Sequence, residues 1–310
     1  MNIWIVWCGV VWSAVAKNIL KYHKNINIKG IYTLYPQSSK SIKLYESYPE
    51  LFKSSFAEIL DDSGIDIIVE TMWGIDIAKD IIIRSLQRWK SVVSANKDLI
   101  ASHGTELFQI AKVNNVELKI EASVCGAIPI INAIEYGLAG DKIISIKWIL
   151  NGTSNYILSK LTDNPELEYK EVLEEAIKLW YAENDPTNDI EWIDSAYKVI
   201  ILWKIAFWVD ISIEKMQVKW ISHLTQIHIE QARKMWMKIK LLWVIENKNW
   251  KNKAFVRPEF VSIDSSLGRT DGVINAVEII GENTTNFFSG PGAGGDATAV
   301  AIVSDILGLK

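Results

Sequence analysis

Asp194 and Lys198 stand four residues apart in the run Asp189-Ile190-Glu191-Trp192-Ile193-Asp194-Ser195-Ala196-Tyr197-Lys198. On a helix that spacing puts a carboxylate and an ammonium on one face. An ordinary surface ion pair has the same spacing. Here the helix continues as Val199-Ile200-Ile201-Leu202, apolar on every side, which predicts a pair away from open solvent. A lysine so placed can donate a proton to a carbonyl oxygen as hydride reaches its carbon. A second lysine, Lys97, follows the strand-like run Ser91-Val92-Val93-Ser94, and strand ends are where open α/β sheets present ligands. Taken alone, Lys97 reads equally well as a solvated loop residue.

The chain opens with another chemical pattern. Ile3-Trp4-Ile5-Val6-Trp7-Cys8-Gly9-Val10-Val11-Trp12 is a strand followed by a Gly-x-Gly-x-x-Gly turn whose first and third glycines are written as tryptophan. Such a turn lets the backbone approach a pyrophosphate, which the free amides and dipole of the next helix stabilise. The end of the second strand, Thr33-Leu34-Tyr35, lacks an acidic residue for a ribose hydroxyl, while Ser38, Ser39 and Lys40 suit a 2′-phosphate. NADP is therefore slightly favoured over NAD.

Tryptophan also stands beside Gly74 at Trp73, in a helix-to-strand turn at Trp89, at Trp180, Trp192, Trp203 and Trp208, and in the turn Asn249-Trp250-Lys251, where Asn-Gly is the expected hairpin. Glycine occupies 17 of 310 positions and tryptophan 14, although glycine's usual share is roughly 7%. Overpacking a site costs about 1–3 kcal/mol against a total stability of about 5–15 kcal/mol, so so many indoles in tight turns are physically untenable. Some lineages read UGA as glycine where common code variants read tryptophan. These positions therefore read as glycines whose UGA codons have been rendered as tryptophan.

These groups must be positioned by alternating elements. Strands are predicted at 3–6, 26–33, 66–71, 91–94 and 116–122, with helices at 13–22, 55–61, 75–87 and 104–113, a Rossmann-type doubly wound parallel sheet. Past Pro129, helices at 130–137, 155–161, 170–179 and 191–207 precede strands at 239–246, 254–261 and 273–280. The expected fold class is α/β, with a second α+β domain on an open sheet. The expected division is 1–129 for cofactor, 130–288 for catalysis and dimerisation, and a helix in 289–310 returning to the first domain.

A net charge of −4 and a pI near 5.7 give no reason to expect nucleic acid or a membrane surface as partner. Cys8 and Cys125 read as reduced thiols of a cytoplasmic protein. No apolar run reaches the length of a membrane span, and with Met1 leading directly into the first strand no signal peptide is expected. His23, His103, His223 and His228 lack ligand spacing. Zinc and covalent catalysis find no support.

With Trp180 and Trp192 read as glycine, the segment from Trp180-Tyr181-Ala182-Glu183 through Asp185-Pro186 to Asp189-Ile190-Glu191-Trp192-Ile193-Asp194 and Lys198 resembles the signature of homoserine dehydrogenases. The resemblance extends in family order through Ser94-Ala95-Asn96-Lys97, Glu121-Ala122-Ser123-Val124 with Gly126 and Ile128-Pro129, Leu150-Asn151-Gly152-Thr153-Ser154-Asn155-Tyr156, and Gly290-Pro291-Gly292-Ala293-Gly294-Gly295. It implies NAD(P)-dependent interconversion of L-aspartate 4-semialdehyde and L-homoserine, a step toward threonine and methionine.

By that resemblance Lys198 protonates the developing alkoxide, and Asp194 binds the substrate hydroxyl and orients the lysine. Glu183 holds the substrate ammonium, the backbone at Trp180 touches substrate, and Lys97 lies between substrate and nicotinamide. Cofactor contacts are expected from Trp7, Gly9, Val10, Val11 and Trp12, and from Thr71, Ser94, Lys97 and Gly294. Glu121, Val124, Gly126 and Ile128 are expected to hold a monovalent cation, sodium, as structural support. A homodimer formed through the second domain is also implied. Because the chain stops just after its last helix, it is expected to be a short form without the regulatory amino-acid-binding domain or threonine inhibition, and without a preceding aspartate kinase. A noncatalytic NADP-binding relative would explain altered glycine motifs without recoding, but decay should damage all residue types, and Lys97, Glu183, Asp194 and Lys198 are intact. Another amino-acid semialdehyde dehydrogenase of this fold fits the lysine-bearing helix less fully.

Overall fold

The computed structural model describes residues 1–6, 10–33, 42–53, 55–164, 166–179, 189–209, 211, 214, 216–248, 251–292 and 294–309, with backbone alone at 10, 42, 189–194, 222, 248 and 251. Two compact units emerge: Met1–Pro129 with Ala293–Lys310, and Ile130–Gly292.

The first unit runs β1 (Asn2–Val6), α1 (Val10–Tyr22), β2 (Asn27–Tyr32), α2 (Ile42–Ser47), β3 (Phe52–Lys53), α3 (Ala57–Asp61), β4 (Ile67–Glu70), α4 (Asp76–Gln87), β5 (Ser91–Ser94), α5 (Lys97–Val113) and β6 (Leu118–Lys119). All its strands are parallel, in the order β3-β2-β1-β4-β5-β6. Ile3, Ile5, Ile68, Val69, Val92 and Val93 are fully buried, as expected of parallel strands covered on both faces. Register aligns Val6 with Glu70 and Glu70 with Ser94. Three strands therefore end abreast.

The second unit contains α6 (Ile130–Asn132), continuing as a π-helical turn to Gly137, β7 (Ile143–Ile149), α7 (Gly152–Asp163), α8 (Tyr169–Lys178), α9 (Asp189–Phe207), β8 (Gln217–Val218), α10 (Gln226–Lys234), β9 (Met237–Lys248), β10 (Lys251–Ser262), β11 (Asn275–Gly281) and β12 (Thr285–Gly290). Its sheet runs β12-β11-β7-β9-β10-β8, antiparallel except where β8 joins β10. The chain then adds α11 (Gly295–Gly308) to the first unit. Ala301, Ile302, Val303 and Ile306 of α11 share a core cluster with Ile3, Ile5, Val15 and Ile19. None of the described helices is long and apolar enough to cross a membrane.

The fold class is as expected, a doubly wound parallel sheet beside an open sheet with helices. Local boundaries differ for identifiable reasons. α5 begins at Lys97 rather than at 104, because the Asn96 side chain caps it by accepting the Leu99 N–H at 3.1 Å. The strand expected at 116–122 shortens to β6, since the chain turns at Glu121–Ser123 in a single 3₁₀ turn. β7, the strand joining both halves of the second sheet, is not among the expected elements, nor are α2, β3, β8, α10 and β12.

A buried polar knot ties α7 to β9. Asn151 caps α7 by accepting the Ser154 N–H at 2.7 Å, and Asn155 donates to the carbonyls of Thr270 and Gly272 at 3.1 and 2.9 Å. Lys240, 1% exposed, donates to Asn155 Oδ1 (2.9 Å), the Thr270 carbonyl (2.6 Å) and Asp271 Oδ1 (2.9 Å). Burial lowers the Lys240 pKa, opposed by its bond to Asp271. Asp271 also accepts from Lys238 at 2.7 Å, so it keeps one cation if Lys240 is replaced. Lys240→Met, similar in volume but unable to donate, is expected to lower stability by about 2 kcal/mol, read as a drop in the urea midpoint. An unchanged midpoint would show that the knot contributes nothing net.

Candidate active site

β1 lies between β2 and β4, so connections leaving to either side diverge at its carboxyl end. Open α/β sheets take ligands in that crevice. α1 starts at Val10 with no acidic residue in its first turn, which leaves the positive end of its dipole and its free amides suited to an anion. Trp7 and Gly9 lie outside the described residues, and Val10 is described by backbone alone. Val11 is partly buried. Trp12 is fully buried and meets Phe52 edge-on at 5.9 Å, so its side chain belongs to the core of the unit. Thr71 continues the line of strand ends: its N–H and hydroxyl donate to the Val6 carbonyl at 3.3 and 3.4 Å.

The loops after β4 and β5 are joined by one carboxylate. Glu70, fully buried at the end of β4, accepts the Met72 N–H at Oε1 and the Ser94 hydroxyl at Oε2, both at 2.6 Å. Burial pushes its carboxyl up to about 7, while the bonds from Ser94, the Met72 amide and Asn96 act in the opposite sense. The Asn96 N–H donates to Ser94 Oγ at 3.1 Å and its side-chain amide to the Gly74 carbonyl at 2.8 Å. Lys97 is the first residue of the helix that Asn96 caps. Its side chain is half-buried, with Nζ 3.6 Å from Asp98 and 5.7 Å from the centre of the Trp73 ring.

Gly294 begins α11 with φ 120 and accepts the Thr298 N–H and hydroxyl, both at 2.9 Å. Only glycine takes that backbone readily. The Glu121, Val124 and Ile128 side chains are buried, and consecutive left-handed residues, Cys125 (φ 56) and Gly126 (φ 58), bend the loop they share. The Glu121 N–H donates to Asp305 Oδ2 of α11 at 2.8 Å. Among the described residues no group of three or more His, Cys, Asp or Glu could hold a metal ion, so a cation at this loop would have to rely on Glu121 and backbone carbonyls.

In the second unit Lys198 lies half-buried on α9, one turn beyond Asp194, whose backbone alone is described. From Val199 to Trp203 the helix is buried on every side, with Val199, Ile201, Leu202 and Trp203 each at 2% exposure or less. Trp180 and Glu183 lie outside the described residues. The structure thus gathers Thr71, Ser94 and Lys97 on one sheet edge. It adds Glu70 and Asn96, which the sequence reading did not single out for a role. A glutamate closing an otherwise apolar strand, Ile67-Ile68-Val69-Glu70, was the available signal, since a buried charge requires partners.

Two family models match the chain, "Homoserine dehydrogenase, NAD binding domain" over residues 8–121 and "Homoserine dehydrogenase" over residues 129–307. A homoserine dehydrogenase of Helicobacter pylori is 36% identical over 310 residues, covering 99% of this chain and 73% of the relative. A solved homoserine dehydrogenase from Thiobacillus denitrificans superposes with a TM-score of 0.85 at 31% identity, covering 99% of this chain and 72% of that one. A hyperthermophilic archaeal homoserine dehydrogenase in complex with NADPH gives a TM-score of 0.76 at 26% identity, with 99% and 96% covered. With a parallel-sheet unit of cofactor-binding form and a lysine-bearing helix in the family's order, the chain belongs to the homoserine dehydrogenases, NAD(P)-dependent oxidoreductases that interconvert L-aspartate 4-semialdehyde and L-homoserine.

Proposed function

We propose that Lys198 is the proton donor of this reaction and Asp194 its positioning and substrate-binding partner. The observation that carries the reading is their one-turn spacing on α9, a helix buried from Val199 to Trp203 immediately beyond Lys198. A reduced nicotinamide, when bound, would supply hydride to the aldehyde carbon, and Lys198 Nζ would deliver the proton that converts the developing alkoxide to a hydroxyl. In the oxidative direction the neutral amine takes that proton back. Asp194 accepts the substrate hydroxyl. Glu183 pairs with the substrate ammonium, an interaction strengthened where water is scarce, and the backbone at 180 borders the substrate. By the family resemblance, Lys97 would lie between nicotinamide and substrate.

The turn 7–12 with Val10 and Val11, together with Thr71, Ser94 and Gly294, would hold the nicotinamide cofactor, the free amides at the start of α1 being suited to its pyrophosphate. NADP is the favoured nicotinamide: Ser38, Ser39 and Lys40 suit a 2′-phosphate, and the archaeal relative is described with NADPH. Glu121 and the backbone carbonyls of Val124, Gly126 and Ile128 would hold a monovalent cation, sodium, as a structural ion. The working form is a cytoplasmic homodimer formed through the second unit, serving threonine and methionine synthesis.

Reduction of NADP⁺ by L-homoserine, followed through absorbance of the reduced nicotinamide, tests the assignment. Lys198→Ala is expected to lower kcat by about 10²–10⁴-fold while NADPH binding persists. Lys97→Ala should also lower kcat. Activity of Lys198→Ala within tenfold of the parent would remove the lysine from its role.

A further inference from the structure

We infer that the protein made in its own cell carries glycine at the tryptophan positions. Three helices carry the argument. α4, α9 and α10 are each followed by a tryptophan in the left-handed region: Trp89 (φ 56), Trp208 (φ 54) and Trp236 (φ 57). After α4 the Trp89 N–H donates to the Leu86 carbonyl at 3.2 Å and the Lys90 N–H to the Ser85 carbonyl at 3.1 Å, which is the bond pattern of a Schellman stop. After α9 the Trp208 N–H reaches the Lys204 carbonyl at 2.9 Å, and after α10 the Trp236 N–H reaches the Arg233 carbonyl at 3.0 Å. Glycine is the residue that helix stops of this kind select, because a Cβ clashes in left-handed backbone. A bulky aromatic there is a genuine outlier. These indoles are 73%, 83% and 75% exposed, so burial does not compensate for the strain.

The buried tryptophans reach the same conclusion by other physics. Trp4, Trp12, Trp148, Trp203 and Trp243 are at most 4% exposed, and every one has an indole N–H without a hydrogen-bond partner. Buried indoles normally find an acceptor. Trp148 and Trp243 even stand directly opposite each other across β7 and β9. Glycine removes all five unsatisfied donors, and at position 12 it restores the third glycine of the phosphate-binding turn.

The test is a tryptic map of the protein purified from the organism that encodes it, read beside its gene. The expected result is glycine at 89, 208 and 236, with UGA at each codon. Tryptophan in any of those three peptides overturns the inference at that site, and in all three it overturns the inference outright. As a second readout on the chain as written, Trp89→Gly, Trp208→Gly and Trp236→Gly should each raise the folding equilibrium constant by roughly 5- to 30-fold. Unchanged or lowered constants would count against it.

A separate observation assigns Glu70 as a positioning residue for Lys97. We propose that its carboxylate fixes the start of α5 relative to β4; this rests on the role given to Lys97 above. The path is continuous: Glu70 to the Ser94 hydroxyl, Ser94 Oγ to the Asn96 N–H, and Asn96 Oδ1 to the Leu99 N–H in the first turn of α5. A second branch, from Glu70 to the Met72 N–H and from Asn96 to the Gly74 carbonyl, holds the neighbouring loop. Two buried carboxylate bonds thereby set the base of the lysine.

Glu70→Gln should lower kcat about tenfold with little change in the Kd for NADPH. In a Lys97→Ala background the same substitution should change kcat by less than twofold, because its effect passes through the missing lysine. A loss of the same factor in both backgrounds, or a loss below threefold in the parent, overturns the proposal. If Glu70→Gln does not fold, Ser94→Ala interrupts the same path and the same cycle is read on it. Where Lys97→Ala turns over too slowly for steady-state rates, the ratio is read from single-turnover reduction of NADP⁺ with enzyme in excess, and a Lys97→Ala variant as active as the parent would instead dismiss the assigned role of Lys97.

Discussion

The register of three strands sets the rest of the first unit. Val6, Glu70 and Ser94 pair side by side, so β1, β4 and β5 release the chain along one line. Parallel pairing makes this unavoidable: each strand must be reached by a crossover from the far end, so all carboxyl ends emerge together. Backbone amides at the start of α1, the Thr71 hydroxyl and the capped start of α5 are therefore neighbours although distant in sequence. A slip of one residue would turn each strand's side chains over and separate Glu70 from Ser94.

Two buried polar networks divide the remaining work. In the first unit an anion collects donors from two loops. In the second a cation, Lys240, collects acceptors from α7 and the turn 270–272. Neither side chain gains hydrophobic energy commensurate with its desolvation. What each supplies is a fixed geometry for loops that have no regular hydrogen-bond ladder of their own.

Much of this was legible in the residues. Long apolar runs such as Ile67-Ile68-Val69 and the alternation of strand and helix identify a parallel sheet, and the lysine-bearing run reads as a helix because its apolar residues continue without a breaker. The start of α5 was harder. Gly104 and the polar pair at 102–103 suggest a helix beginning late, whereas a single side chain, Asn96, caps it seven residues earlier. β7 is not marked in the sequence because Ser145 and Lys147 interrupt its apolar run; its strand character comes from pairing on both edges with β11 and β9, a long-range condition that no local window contains. The role of Glu70 depends on the same kind of condition, since Ser94 reaches it only through strand pairing.

The first unit is also discontinuous. Its core cluster joins Ile3, Ile5, Val15 and Ile19 to Ile302, Val303 and Ile306, residues from opposite ends of the chain. On the ribosome, synthesis therefore delivers the sheet of the first unit long before the helix that seals it, and the whole second unit emerges in the interval. Until α11 arrives, the exposed flank of α1 is an apolar surface open to chaperones or to proteolysis. The second unit is complete in sequence before α11 emerges, so the first unit, begun first, is the last to be closed.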